Sequence, residues 1–248
     1  MLTKLSRETL AEQAAQNLIA FIESQDLKPG KLLPPEYQLA ADLGVSRPII
    51  REALKSLEGK GIVEVVSGKG AMVKLPNSQP LQIFFQRTMR IQREAIIDVM
   101  ELRIGVEVQS AALAAQRRTP DDIARLRESV AEMRRNLCNP DAYVNLDVGF
   151  HLLIASTTRN SMIYHMVKAI RESLKDTLHE SLLRRQTNEQ LDLVQAGHEA
   201  ILANLEQGDV EGAKRAMAAH FDEAVMSLIY GAISDDTTAD QVSDIDAG

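Results

Sequence analysis

Apolar residues recur along most of this 248-residue chain at the three- and four-residue spacing of amphipathic helices. Leu10, Ala14, Leu18 and Phe21 or Ile22 place a helix over 5–24. Pro29-Gly30 then breaks the chain. A helix over 35–43 is closed by Gly44, where a residue without Cβ is favoured. Ser46 caps the next helix, 46–58, with its hydroxyl, and Pro48 is tolerated in a first turn whose N–H groups have no intrahelical partner. Ile50, Ala53, Leu54 and Leu57 form the buried face of that helix. The spacing then changes. Two β-branched runs, Ile62–Val66 and Ala71–Leu75, flank Ser67-Gly68-Lys69-Gly70, a hairpin with a glycine-rich tip. Pro76 to Pro80 reads as a linker. From Leu81 to about Ser234 no strand pattern occurs. Helices are expected over 81–91, 94–117, 120–137, 141–158, 161–186, 188–206 and 209–233, with breaks at Thr119-Pro120, Asn139-Pro140, Asn160 and Gly208-Asp209.

The pattern predicts a mainly α protein. Residues 1–75 form a winged helix-turn-helix with a small β-hairpin wing. Residues 76–93 are a linker and connecting helix, and 94–233 an all-α bundle. Residues 234–248 form a disordered acidic tail, with five aspartates and no Lys or Arg.

Charge sharpens this division. The formal net charge of −7 is unexpected for a nucleic-acid binder until it is split. Residues 1–75 hold 10 Lys and Arg against 9 Asp and Glu, leaving 18 of the 28 cations and 26 of the 35 acids to the rest. The acid belongs to the second part, and the placement of a few cations on one face of the first matters more than the total. No apolar run approaches the ~20 residues needed to span a bilayer. The N-terminus lacks the apolar stretch of a secretory signal. Cys138 is the only cysteine, so no intrachain disulfide forms. A cytoplasmic protein without membrane contact is the expectation.

Arg47, Arg51 and Lys55 repeat every four residues on a second face of the 46–58 helix. A helix entered by a short turn, with cations from its N-terminus onward, suits a major-groove reader. Taken alone, a basic stripe is more often a solvated face; the tight turn, the cap and the hairpin favour DNA. Lys69 at the wing tip would lie beside the DNA backbone or minor groove. Gly68 and Gly70 serve the turn in either case.

The residues L-P-P-E...L-A...L-G-V-S-R...R-E-A-L...G-I-V...G-x-G-x-x-V, spanning about 8–75, are similar to the N-terminal domain of GntR-family transcription regulators. The resemblance implies double-stranded operator DNA as partner. By position it makes Arg47 and Arg51 DNA-contacting arginines, Ser46 a phosphate-contacting hydroxyl, and Gly68 to Gly70 the wing tip. Tyr37 stands where many FadR-type members carry arginine. Its phenol can bond a phosphate but cannot grip guanine with a fork of donors, so the operator of a relative does not transfer.

In the second part, Asp147 and His151 lie four apart, one helical turn on one face. His198 and His220 flank the break at Gly208. At ~1.5 Å per residue they sit roughly 15 and 18 Å from that turn in an antiparallel pair, and so can face each other. One carboxylate and three imidazoles suit Zn²⁺ first, with Ni²⁺ or Mn²⁺ as alternatives. An Asp-x3-His pair by itself is more often a helix-surface pair. Arg103 interrupts an apolar helix (Val99, Met100, Leu102, Ile104, Val106, Val108) and needs an anionic partner. That partner is either Glu107, one turn on, or a ligand carboxylate. Asn160 either adds a polar ligand contact or caps a helix. His165 and His179 read as surface or packing residues.

Val99 to Glu107, Ala111 to Ala115, Asp147-Val-Gly-Phe-His151, Asn160, and His198 to His220 resemble the FCD domain, the all-helical effector-binding domain of the FadR-type branch. The resemblance covers about 94–230. It implies a divalent metal held by Asp147, His151, His198 and His220, and Arg103 lining an effector pocket. It also implies a homodimer on a two-fold operator.

The function expected is a regulator, a repressor by family habit, controlled by a small carboxylate or sugar acid at the metal site. The residues alone leave open whether the ligand relieves or strengthens DNA binding. A metal-dependent hydrolase tethered to DNA is the alternative. Against it, there is no His-Glu-x-x-His, and Glu199 points about 100° around its helix from His198. A regulator for which the metal itself is the signal is the third reading.

Overall fold

The computed structural model describes residues 8–92, 94–183 and 187–221, with Asn188 described by its backbone alone. The chain divides into two units, Met1–Pro80 and Leu81–Gly248. Of the elements expected from sequence, residues 5–7 of the first helix, 93 of the connector, 184–186 of the 161–186 helix, 222–233 of the last helix and the tail 234–248 lie outside the described residues.

In the first unit α1 (Leu10–Ser24) starts later than its apolar spacing suggests. Thr9 and Glu12 form a reciprocal capping box, and that fixes the first turn. α2 (Glu36–Leu43) ends at Gly44, left-handed at φ 65°. α3 (Arg47–Gly59) buries Ile50, Ala53, Leu54 and Leu57, as its periodicity requires. β1 (Val63–Val66) and β2 (Gly70–Val73) pair antiparallel, Val63 opposite Val73. The sequence pattern did not reveal a third pairing. Residues 30–33 run beside β2, with Gly30 and Leu33 N–H donating to Val73 and Ala71 O at 2.8 Å, and Leu32 bridging Met72. Leu18, Ile50, Leu57 and Val63, at 1% exposed or less, centre the core. A buried leucine of this kind carries ~2–5 kcal/mol against truncation to alanine.

The second unit is helical throughout its described residues: α4 (Gln79–Ile91), α5 (Ala95–Arg117), α6 (Pro120–Arg135), α7 (Pro140–Thr157), α8 (Ser161–Ser173), α9 (Lys175–Leu183), α10 (Asn188–Gln207) and α11 (210–221). Thr119 and Thr187 cap α6 and α10 with capping boxes, and Pro120 and Pro140 occupy first turns. The expected helix over 161–186 is two helices. The chain kinks at Leu174, which is 1% exposed and packs with Phe85, Val99, Met100 and Ile170. Neither Gly nor Pro marks this site; burial of the leucine sets the bend. α10 closes at Gly208, φ 71°, and α11 turns back along it. A side chain at 208 would be strained by that φ and would displace the Arg118 guanidinium. Phe150, Ile154, Ile201, Leu205, Met217 and Phe221 form the centre of the bundle.

Candidate metal centre and nucleic-acid interface

The last two helices carry out what their turn implies. His198 on α10 and His220 on α11 have ring centroids 4.3 Å apart. Asp147 and His151, successive turns of α7, face them, and one donor atom from each of the four residues lies within 4.8 Å of every other. All four are buried, His198 completely.

His198 is held through both ring nitrogens. The Tyr143 hydroxyl lies 3.3 Å from His198 Nδ1, and His198 Nε2 is 2.9 Å from Asp147 Oδ1. Glu107 Oε2 is 2.6 Å from His151 Nδ1 without the alignment of a hydrogen bond. Both nitrogens of His151 and Nδ1 of His220 are buried with no hydrogen-bond partner. Leaving such groups unpaired costs ~1–3 kcal/mol each. A cation inside the cluster would give His151 Nε2, the nitrogen turned toward Asp147, a partner, and the donor chemistry fits a divalent metal. Burial pushes the His151 imidazole down to about 4, helped by the Arg171 guanidinium; burial and the neighbouring His198 and His151 push His220 well down. Burial alone would raise the Asp147 carboxyl, but Arg171 and the His198 contact hold it well below the usual carboxylate range. Two neutral imidazoles and an ionised carboxylate are the protonation states that metal ligation needs.

Arg103, 1% exposed, is paired with Glu107, its Nε donating to Oε1 at 3.0 Å. This is the first of the two partners its sequence context allowed. Among the described residues Nη1 has the Met100 sulfur at 3.8 Å, and the guanidinium stacks over Phe221 at 4.7 Å. Burial, and Arg171 beside it, bring its pKa down to about 10, still fully charged at neutral pH. Arg103, Asp147 and His220 line a small cavity of about 40 Å³ with Tyr143, Leu178 and Leu182. Asn160 is not at this pocket. Its carboxamide accepts from Met162 and Ile163 N–H at 3.0 and 3.3 Å as the cap of α8, and it borders a separate surface hollow with Arg159 and Tyr164. The cap reading therefore accounts for it. His179 pairs with Asp141 at 3.0 Å, and His165 is half-buried on α8, away from the donor cluster.

Sequence reasoning missed Arg171 as a member of the site and read Glu107 as a local partner only. Glu107 in fact touches Arg103, Arg171 and His151. The signal was present: Arg171 follows Met166, Val167, Ala169 and Ile170, an apolar setting like that of Arg103.

In the first unit Arg47, Arg51 and Lys55 are exposed along α3, and Tyr37 is exposed at the start of α2. Arg51 donates from Nε and Nη2 to Glu36 Oε2 at 3.4 and 3.2 Å. Ser46 occupies the cap position of α3 but makes no side-chain capping bond. This corrects the expected hydroxyl cap. Pro48 removes the N–H at the second position, and Ile49 N–H is taken by the Ser46 carbonyl at 3.0 Å. The hydroxyl, with no capping duty, stands at the helix N-terminus, a place that favours phosphate. Gly68 and Gly70 at the wing tip have φ of 75° and 99°. Their conformation belongs to the turn, and it leaves Lys69 exposed between them.

Residues 98–223 match the FCD domain, and residues 10–73 match the bacterial regulatory proteins of the gntR family. The chain is 31% identical over 243 residues to the Uxu operon transcriptional regulator of Escherichia coli (strain K12), covering 92% of this chain and 91% of that one. It is 29% identical over 227 residues to the putative L-lactate dehydrogenase operon regulatory protein of the same strain, covering 85% and 83%. Among solved structures, Streptococcus agalactiae GntR superposes with a TM-score of 0.64 at 26% identity, covering 88% of this chain and 99% of that one. Among the described residues, no helix is long and apolar enough to cross a membrane.

Proposed function

Since the chain belongs to the gntR family of bacterial transcription regulators and carries the FCD domain of its FadR-type branch, we propose that it is a metal-dependent repressor released or retained on DNA by a small carboxylic or sugar acid. Its families and relatives are DNA-binding regulators, not enzymes, so the hydrolase alternative is set aside.

One observation carries the reading. Four buried donor residues lie beside a pocket that also presents the Arg103 guanidinium. A divalent metal, Zn²⁺ foremost and Ni²⁺ or Mn²⁺ as alternatives, would be held by Asp147, His151, His198 and His220 and would supply Lewis acidity toward an acid's oxygens. Arg103 would pair with the carboxylate, an anion-specific contact strengthened by burial. A relative named for an L-lactate dehydrogenase operon makes a hydroxy acid a first candidate. On the first unit, Arg47 and Arg51 would read base edges, and Lys55, Ser46, Tyr37 and Lys69 would bind phosphates, with Gly68 and Gly70 shaping the wing. The protein would act as a cytoplasmic homodimer on a two-fold operator. Residues 1–75, 76–93 and 94–233 would serve as reader, connector and sensor. By linkage, DNA changes the acid's affinity by the same factor as the acid changes the DNA's.

The test is a thermal-shift screen of small carboxylic and sugar acids on metal-loaded protein. An acid at 100 times its Kd adds ~2.7 kcal/mol of stability. The expected result is a hit abolished by chelator. No hit, together with operator affinity that responds to chelator alone, would make the metal itself the signal.

A further inference from the structure

Arg171 on α8 is fully buried beside the metal donors and is not itself one of them. Its Nη1 donates to Asp147 Oδ2 at 2.6 Å. Its Nε and Nη2 donate to the two oxygens of Glu107 at 2.7 and 2.8 Å. A single planar fork thus joins a carboxylate on α7 to one on α5. A lysine, with one point charge, cannot span both with this geometry. The consequence for Asp147 is specific. Oδ2 is occupied by the guanidinium, and Oδ1 alone is left turned toward His198 Nε2 at 2.9 Å and His151 Nε2 at 3.8 Å. From Glu107 the line of alternating charges continues to Arg103.

Building on the metal reading above, we propose that Arg171, braced by Glu107, is the positioning residue that makes Asp147 a one-oxygen metal ligand. The guanidinium keeps Oδ2 out of the coordination sphere and thereby leaves room at the metal for an incoming acid. Removing a partner of this kind costs 10–100-fold in metal affinity in well-studied sites.

The experiment uses the full chain, unmutated and as Arg171→Lys and Arg171→Gln. Zn²⁺ affinity is measured by competition with a chromophoric chelator, the visible absorption of the Co²⁺-loaded protein reports coordination, and urea unfolding of metal-free protein reports stability. The expected result is a 10–100-fold loss of Zn²⁺ affinity in folded variants, with an altered Co²⁺ spectrum as the freed Oδ2 joins the metal. Unfolding at lower urea with Zn²⁺ affinity and Co²⁺ spectrum unchanged would make Arg171 a structural ion pair only and overturn the proposal. Should both variants fail to fold, the Arg171 Nε–H resonance of the unmutated protein decides. It should move on Zn²⁺ addition, and a fixed resonance overturns the assignment. An unmutated protein that binds no metal would instead defeat the metal reading itself.

Discussion

The two units place their chemistry on opposite sides of their surfaces. In the first, no charged side chain is buried among the described residues, and the groups assigned to DNA are exposed. In the second, Arg103, Glu107, Asp147, His151, Arg171, His198 and His220 are all buried. An exposed cation can be exchanged with little cost to folding, because water solvates whatever is left. A buried one cannot, because each charge in the interior is the partner of another. The first unit is therefore free to change these groups while keeping its fold. The second has its candidate donors and its stability in the same residues.

The most severe way to break this comparison is to take a charge out of the sensor. Asp147→Ala leaves Arg171 without one of its two carboxylates, and loss of one partner of a buried pair costs ~3–5 kcal/mol. Chemical denaturation should show it, together with loss of metal. A change below ~1 kcal/mol would mean that the cluster is solvated.

Acid comes next. The folded pKa of His151 lies at about 4, below the 6.5 of a free imidazole. Above pH 6.5 both folded and unfolded chains carry it neutral, and it contributes nothing. Between 6.5 and 4 the unfolded chain takes up a proton that the folded one refuses, so stability falls with pH, by up to ~3 kcal/mol for this residue. His220, also depressed, steepens the fall. Asp147 and Glu107, held low, keep their contribution in full down to about pH 4.5, where an unfolded glutamate begins to protonate. Unfolding free energies of metal-free protein from pH 7 to 4.5 test this; a flat profile contradicts the buried neutral imidazoles.

His220→Ala removes one donor from α11. It should abolish stoichiometric metal and the acid response while non-specific DNA binding persists. Metal retained at one per chain would refute the donor set.

On the reader side the effects are smaller and leave folding alone. Arg51→Ala should weaken operator binding by ~1–3 kcal/mol with unchanged metal content and unfolding midpoint. Lys69→Ala should lower the salt slope of DNA binding by about 1 across sequences, with less than ~0.5 kcal/mol change in stability. A stability loss at either position would blur the contrast between the two units.

Much of this was legible in the sequence because the relevant signals are local. The turn at Gly44, the apolar stripe of α3, the glycine-flanked wing and the reversal at Gly208 all act within a few residues, and they place the elements well. The start of α1 was readable too, in Thr9 and Glu12, had the cap been weighed against the apolar spacing. What escaped depends on distance. The kink at Leu174 is set by packing against Phe85 and Met100, and the pairing of residues 30–33 with β2 by a contact some forty residues away. Asp147 and the three histidines could be grouped by helix geometry and family likeness. Arg171 could be seen to need a partner, but not that the partner was both Glu107 and Asp147. Ser46 shows the reverse case: the cap was correct in position, and Pro48 altered what the hydroxyl is free to do.

The four buried ions, Arg103 and Arg171 against Glu107 and Asp147, sum to zero, with His151 and His220 neutral at pH 7. A dication entering this interior brings two uncompensated charges into a region where each costs several kcal/mol. An acid arriving alone brings uncompensated charge of the other sign. Each is the counterion of the other. On the function proposed above, such a regulator would behave as an AND gate: the metabolite would register only while the metal is in supply, and electroneutrality would perform the logic.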